Sequence, residues 1–236
     1  MEGKLISAII LIGGDYDKKL LEKCLASLSW ADEIIKVETN KIPGSFSEWR
    51  NYGAQKATGD WLFYVDSDEE VTEELRNEIE IEKTNYVAYT ISRRNFIFDK
   101  EFKYGGQRPD YVKRLFLKSK FRGWRGELHE EPSFDGKMGH LDTPLIHHKN
   151  IDLSQMVVKT NEWSEIEAKL MYEAGHPGMN FFRFFSAGAR EFWLRMIKQT
   201  AFLDGREGII YALYQVYSRL ISYAKLWEKQ LSTIRT

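Results

Sequence analysis

The chain has 236 residues, with 34 Lys and Arg against 35 Asp and Glu and a formal net charge of −1. This near neutrality offers no overall basic field for nucleic acid, and a hydrophobic content of 43% with only 5 prolines excludes a disordered chain. The single cysteine, Cys24, excludes a disulfide framework and any zinc site that needs several cysteines. We therefore expect a packed globular protein in a reducing, cytoplasmic compartment, without a nucleic-acid partner.

Strands and helices are predicted to alternate in the first half of the chain. The apolar run 5–12 is shorter than the roughly 20 residues of a membrane span and has no small-residue cleavage site, so we interpret it as a buried strand. Cys24 lies on the apolar face of the next helix, where a small buried side chain is expected. The alternation favours a mostly parallel α/β sheet. The predicted strands are 6–12, 33–38, 61–65, 86–91 and 111–117, and the predicted helices are 17–28, 47–57 and 72–81.

The second half of the chain has a helical character. Helices are predicted over 153–174 and from 180 to 230, with breaks at 175–178 and 204–205. From Gly178 onward the sequence has nine Lys and Arg, four Asp and Glu, and many aromatic residues. This composition predicts either contact with an anionic membrane surface or packing of the helices on the main domain or on a second copy in a homodimer. We expect two domains, 1–150 and 151–236, the second a C-terminal helical annex.

Two carboxylates follow the strongly apolar strand 61–65 at a spacing of one residue. Asp66 and Asp68 stand where that strand ends, and ligands of open α/β sheets bind at the carboxyl edge of the strands. Carboxylates in such a turn can share a hard cation with phosphate oxygens. The pattern predicts Mg²⁺ or Mn²⁺ together with a nucleotide diphosphate.

An Asp-x-Asp pair is a weak signal on its own, and three other interpretations of it exist. An EF-hand requires glycine at the loop position that Val71 occupies. A haloacid-dehalogenase phosphatase would have Thr or Val in place of Glu70 and would carry the motif nearer the N-terminus. The remaining alternative is an acidic entrance to the following helix, where Asp and Glu are favoured.

An ordered series of short motifs surrounds this pair along nearly the whole chain. The motifs are Trp30-Ala31-Asp32-Glu33, Arg50-Asn51-Tyr52-Gly53, Asp66-Ser67-Asp68-Glu69, Arg93-Arg94-Asn95, Tyr104-Gly105-Gly106, Pro109-Asp110, Arg114-Leu115-Phe116, His129-Glu130, His147-His148, Phe202-Leu203-Asp204-Gly205 and Lys225-Leu226-Trp227. With these motifs, the sequence resembles the family 2 glycosyltransferases of GT-A fold, and most closely the bacterial branch of lipopolysaccharide-core β-1,4-glucosyltransferases. The resemblance implies a Rossmann-like GT-A sheet, a nucleotide-sugar donor such as a UDP-sugar, and a glycan or glycolipid acceptor at the inner face of the cell membrane.

The resemblance implies roles for residues near the donor. Asp68 would coordinate the metal directly, and Asp66 would lie near the metal and the ribose. Glu38 stands where the family has an Asp that contacts the nucleoside, and Arg50 stands where a basic side chain approaches the phosphates, although Arg50 can also be read as part of a solvated helix face. His147 would complete the metal shell, with a structural strand-end histidine as the alternative.

Glu130 is the candidate general base, since an inverting transfer needs a carboxylate to take the proton of the acceptor hydroxyl. Asp110 and Glu131 are its substitutes, and a solvated surface carboxylate is the alternative for Glu130. Four arginines, a side chain suited to phosphate or carboxylate, surround this middle region, and some of them are expected to be salt-bridge partners. They are Arg93, Arg94, Arg108 and Arg114.

The sequence departs from the family pattern at two places. Gly13-Gly14-Asp15 replaces a Lys-Asn-Glu-like turn, so Asp15 is the expected substitute for an acid that contacts the base. The segment 38–44 is shorter than the usual Asp-rich stretch and its helix. These departures leave open a GT-A binding module that has lost catalysis. A sugar-nucleotide pyrophosphorylase is disfavoured, because its glycine-rich loop needs an Arg that Gly13-Gly14 does not supply.

Overall fold

The computed structural model describes residues 5–14, 16–81, 85–126, 130–150 and 152–234. The chain forms two compact units. The first comprises Met1–Arg94 and Pro109–His148, and the second comprises Asn95–Arg108 and Lys149–Thr236. The second unit thus takes in a segment from the middle of the chain as well as the C-terminal helices.

The described strands and helices alternate first and become helical later, as the sequence predicts. The strands are β1 Ile6–Ile12, β2 Glu33–Glu38, β3 Trp61–Tyr64, β4 Glu69–Glu70, β5 Ala88–Ile97, β6 Lys100–Phe102, β7 Tyr111–Leu117, β8 Phe121–Arg125, β9 Glu131–Phe134 and β10 Met138–Asn150. The helices are α1 Lys18–Ser27, α2 Phe46–Lys56, α3 Glu73–Ile81, α4 Leu153–Glu173, α5 Phe181–Phe192 and α6 Gly205–Ile234. The sequence did not predict β4, β6, β8, β9 or β10, whose short or polar stretches carry no strong apolar alternation.

The main sheet has the strand order β2-β1-β3-β7-β5-β10-β4, with β6 paired to β5. β2 and β3 both run parallel to β1, whereas β7 is antiparallel to β3 and to β5. The parallel part is therefore the β2-β1-β3 set, whose strands are joined through α1 and α2, and the antiparallel pairings lie beyond β3. β8 and β9 form a separate antiparallel pair. The arrangement confirms the α/β class with a GT-A fold.

Local sequence explains where the first two helices begin. Asp17 caps α1, since its side chain accepts hydrogen bonds from the backbone N–H groups of Lys19 and Leu20. Ser45 and Glu48 form a reciprocal capping box at the start of α2. The predicted helices are therefore confirmed with their boundaries shifted by only one or two residues.

Cys24 is fully buried on the inner face of α1, as predicted. Its Sγ donates to the backbone carbonyl of Asp66 at 3.4 Å. Burial, reinforced by the nearby carboxylates of Glu69 and Asp66, raises the pKa of the thiol to about 12. The thiol therefore packs as a small hydrophobic side chain against the turn that carries the acidic pair.

The second unit consists mainly of α4, α5 and α6. The predicted breaks are confirmed: Gly175 ends the first of these helices in the left-handed region, and a second break falls at Asp204 before α6. The Asp204 carboxylate accepts hydrogen bonds from the backbone N–H groups of Lys103 and Tyr104, which fixes the middle segment to the helices. Across the described residues, none of the helices combines the length and the hydropathy that crossing a bilayer would require.

Candidate active site

The acidic pair lies in a tight turn between β3 and β4. The backbone N–H of Glu69 donates to the carbonyl of Asp66 at 3.0 Å, and the N–H of His148 donates to the carbonyl of Asp68 at 2.9 Å. β4 pairs with β10 so that Glu69 lies opposite His147. Backbone hydrogen bonds thus fix the turn on both sides. It lies at the carboxyl end of β3, as the sequence predicts.

Asp66 is held by two arginines from different elements. Arg114 of β7 donates to both oxygens of the Asp66 carboxylate, and Nη2 of Arg50, on α2, lies 3.1 Å from Oδ1. Burial alone would raise the pKa of Asp66, but the two guanidinium groups outweigh it and hold the pKa well below its usual range. The same pairing raises the pKa of Arg114 further above its ordinary value, against the effect of its burial. Asp66 is therefore a permanent anion that orients two cationic side chains.

Glu69 joins a third arginine to this group. Its side chain is 0% exposed, and Oε1 accepts from Nη2 of Arg114 at 2.6 Å and from Nη1 of Arg93 at 3.2 Å. Oε2 accepts from the backbone N–H of Asp66 at 3.0 Å. Arg93 in turn holds Asp110 through two parallel hydrogen bonds of 3.0 and 3.1 Å. A buried carboxylate can be tolerated only with such partners, so Glu69 is the central acceptor of the cluster.

Glu130 meets the same cluster from its other end. Nη1 of Arg50 donates to Oε1 of Glu130, whose side chain is 15% exposed. The Arg50 guanidinium also lies over the ring of Trp124, 4.7 Å from its centroid. Glu130, Arg50, Asp66, Arg114, Glu69, Arg93 and Asp110 thus form one chain of alternating carboxylates and guanidiniums, which we call the charge chain. Arg50 is only 8% exposed, which contradicts its interpretation as part of a solvated helix face.

The candidate bases differ in their surroundings. Asp110 is held by the bidentate fork of Arg93, which leaves it poorly placed to move toward an acceptor. Glu131 is 70% exposed and pairs with Lys113 on the surface. Glu130 combines low exposure with a contact to Arg50 at the charge chain, so it is the candidate base that this geometry favours.

Asp68 and His147 approach each other beside the charge chain. Nε2 of His147 lies 3.7 Å from Oδ2 of Asp68, and the Asp68 side chain is 37% exposed. Mg²⁺ is commonly bound by one or two carboxylates plus substrate phosphates, and imidazole is acceptable to Mn²⁺. Two donors that leave most positions to phosphate and water fit such an ion, although no set of three or more His, Cys, Asp or Glu side chains within the described ranges is arranged to hold a metal. His148 points elsewhere, with Nε2 at 2.8 Å from Glu70.

Other residues predicted for the site either pair with side chains outside the charge chain or are not described by the structure. Glu38 ends β2, is largely exposed and pairs with Lys41. Arg108 belongs to the second unit and pairs with Glu101. Asp15 and His129 lie outside the described residues. The basic set predicted for the middle of the sequence is therefore only partly a cluster, with Arg93 and Arg114 inside it.

The two departures from the family pattern contact each other. A Cβ on Gly13 would lie 1.7 Å from Oγ1 of Thr39, and Oδ1 of Asn40 accepts from the N–H of Gly14 at 3.1 Å. The connection after β2 contains a single turn of 3₁₀-helix over Thr39–Lys41. The glycine after β1 thus makes room for the short connection after β2.

Sequence analysis assigned no role to Glu69 or to Trp124. Glu69 was visible as a third acid in the motif, but its burial depends on β4 pairing with β10, which no local pattern predicts. The spacing of 24 residues to Arg93 and 45 to Arg114 likewise has no local signal.

A family model covers the part of the chain that contains the acidic turn and the charge chain. The model of the glycosyl transferase family 2 matches residues 9–140, which include part of β1, all of β2 and β3, the acidic turn and all seven residues of the charge chain. The chain belongs to glycosyl transferase family 2.

Curated proteins similar to this chain include uncharacterized glycosyltransferases of Rickettsia species. The protein of Rickettsia bellii is 24% identical over 268 residues, covering 97% of this chain and 88% of that protein. The protein of Rickettsia felis is 25% identical over 212 residues, covering 78% and 72%, and that of Rickettsia prowazekii is 26% identical over 212 residues, covering 78% and 70%. These relatives support glycosyl transfer as the general activity.

Proposed function

We propose that the protein is a metal-dependent, inverting glycosyltransferase that moves a hexose from a nucleotide-diphosphate sugar to a hydroxyl of a glycan or glycolipid. The observation that carries this proposal is the link through Arg50 between the acidic turn and Glu130. It puts a carboxylate suited to proton transfer beside residues suited to a diphosphate. A UDP-sugar is the proposed donor, and cell-envelope polysaccharide, as in the lipopolysaccharide-core branch, is the proposed product class.

Asp68 and His147 would hold the divalent cation, Mg²⁺ or Mn²⁺. When bound, this cation would supply positive charge to the leaving diphosphate. Asp66, whose oxygens are engaged by Arg50 and Arg114, would orient these arginines toward the phosphates and border the ribose rather than bind the cation strongly. Asp68 and Asp66 thus have different tasks although they are only two residues apart.

Glu130 would take the proton of the acceptor hydroxyl. As the acceptor oxygen bonds to the anomeric carbon, the bond from that carbon to the diphosphate oxygen breaks, and its electron pair leaves with the diphosphate. Arg50 would hold Glu130 in place before the acceptor binds, and Glu69 would keep Arg114 and Arg93 at fixed positions. Preorganised charges of this kind lower the barrier because they need no rearrangement during the reaction.

A catalytically inactive GT-A binding module is the second candidate. The feature that favours it is the short connection Thr39–Lys41, packed on Gly13 where the family pattern has a longer acid-containing segment. In that case the charge chain would serve only to hold the first unit together.

The proposal also places the protein peripherally at the inner face of the cell membrane. The charge asymmetry of the sequence supports this location, since the segment from Gly178 onward is basic, with nine Lys and Arg against four Asp and Glu.

Donor binding and turnover test the proposal together. Calorimetric titration with UDP should show binding that depends on Mn²⁺, and a panel of UDP-, GDP- and dTDP-sugars should identify one that releases its nucleotide. Asp68→Asn should abolish both signals with an unchanged circular-dichroism spectrum, whereas Asp142→Asn, at a side chain that is 98% exposed, should leave them intact. Metal-independent binding without turnover would support the inactive module instead.

A further inference from the structure

Helix α5 presents its apolar side to solvent rather than to the protein. Phe181, Phe182 and Phe185 are 64%, 85% and 55% exposed, and Trp193 and Ile197 in the π-helical turn that continues α5 are both 56% exposed. Spacings of four residues place most of these side chains along one side of the helix. We call these five residues the aromatic stripe.

The opposite side of α5 explains why the stripe faces outward. Ala187, Gly188 and Glu191 are the buried residues of this helix, and a Cβ on Gly188 would lie 3.0 Å from the Leu220 side chain of α6. Small residues allow α5 to lie close against α6, and Glu191 pairs with Arg195. The helix is therefore docked by its small and polar side, which leaves the side chains of the aromatic stripe more than half exposed, although the rings of Phe181 and Phe185 contact each other with their centroids 4.4 Å apart.

The charges around the aromatic stripe indicate what covers it. Between Gly178 and Leu203 the sequence contains one acidic residue, Glu191, and its side chain is 9% exposed and engaged by arginine. Arg190 and Lys198 are exposed in the same stretch. The stripe is thus bordered by cations and by no exposed acid in the described part of this stretch.

We propose that the aromatic stripe is a docking surface for an anionic lipid bilayer, with the phenyl and indole rings at the acyl boundary and the cations against lipid headgroups. Aromatic residues on one side and Lys or Arg beside them are the pattern of a helix that lies in a membrane interface. A second copy of the chain fits less well, because a two-fold interface pairs a surface with an identical one, and this surface, bordered by Arg190 and Lys198, would offer the cations of its copy no exposed acid from the same stretch of described residues. The inference rests on the proposed membrane location and assigns the membrane contact to one face of α5. Membrane binding can be measured without any catalytic activity.

Vesicle binding by the full chain tests the proposal. The protein should co-sediment with vesicles of phosphatidylcholine and phosphatidylglycerol, and roughly tenfold less with phosphatidylcholine alone or at high salt. The double variant Phe182→Glu/Phe185→Glu should lower binding to the anionic vesicles by at least about tenfold. The matched control is Val158→Glu/Trp163→Glu on α4, two apolar residues that are 62% and 46% exposed, and it should bind as the unchanged protein does.

Two results would overturn the docking surface. One is unchanged vesicle binding by the Phe182→Glu/Phe185→Glu variant. The other is that the unchanged protein does not bind vesicles and forms a dimer in analytical ultracentrifugation, whereas the Phe182→Glu/Phe185→Glu variant is a monomer. Both variants change exposed side chains, so folded circular-dichroism spectra are expected. Nucleotide release from the donor panel is measured in parallel. If the unchanged protein releases no nucleotide, the proposed transferase activity is contradicted, but the vesicle result still stands.

Discussion

The guanidinium of Arg50 connects Glu130 to Asp66, two carboxylates that are far apart in the sequence. The N–H groups of Arg50 donate hydrogen bonds to both carboxylates, from Nη1 to Glu130 and from Nη2 to Asp66, and the guanidinium lies over the ring of Trp124. One side chain of α2 therefore sets the distance between the candidate base and the acidic turn. The roles of Glu130, Arg50 and Glu69 can therefore be tested by substituting each residue separately.

Glu130→Gln should lower kcat by about 10²- to 10⁴-fold and leave donor binding nearly unchanged, because the amide keeps the shape but cannot accept the proton. Nucleotide release with saturating donor and acceptor, together with calorimetric donor titration, measures the two effects. Glu131→Gln is the matched control at the neighbouring exposed carboxylate and should behave as the unchanged enzyme. Equal activity of both variants would remove Glu130 from the mechanism.

Arg50→Lys should weaken both donor binding and turnover by about tenfold. A lysine keeps the positive charge but cannot donate a planar fork to two carboxylates or stack as well on Trp124. Steady-state kinetics against donor and acceptor report the effect. Lys56→Arg at the exposed end of the same helix is the control, and full activity of Arg50→Lys would show that charge alone suffices.

Glu69→Gln should lower the free energy of unfolding by about 3 kcal/mol, because it leaves the guanidiniums of Arg93 and Arg114 without their shared buried anion. Glu70→Gln, at a partly exposed carboxylate, should cost less than about 1 kcal/mol. Urea unfolding followed by circular dichroism compares the two. A lower kcat of Glu69→Gln at temperatures where the variant is folded would indicate that Glu69 positions Arg114 and Arg93. If the variant is as stable as the unchanged protein, Glu69 is not the central acceptor of the charge chain.

The Cys24 thiol should resist alkylation by iodoacetamide at pH 8 and react only when the protein unfolds. Burial raises its pKa to about 12, so the thiol stays protonated and shielded. The folded state binds this proton more tightly than the unfolded state, so the contribution to stability is complete below the unfolded pKa and is lost as pH rises toward 12. Mass spectrometry of the alkylated protein with and without urea checks this, and rapid modification of the native chain would show an accessible thiol.

The sequence by itself determined the parallel β2-β1-β3 set, the helices that join these strands, and the helical second half. Those features rest on local patterns: a continuous apolar strand, apolar residues at helical spacing, and caps such as Asp17 and Ser45. The position of the acidic pair was also predictable, since a turn directly after a buried strand must lie at the sheet edge.

Only the tertiary structure decided which charged residues meet. Glu69 became a buried acceptor because β4 pairs with β10, and Arg108 pairs with Glu101 in the second unit, which contains residues 95–108. Pairing between strands and long-range packing depend on contacts across tens of residues, for which the sequence carries no periodic signal. For the same reason the outward orientation of the aromatic stripe followed from the close packing of Gly188 on α6, and composition could indicate only that the helices were aromatic and basic.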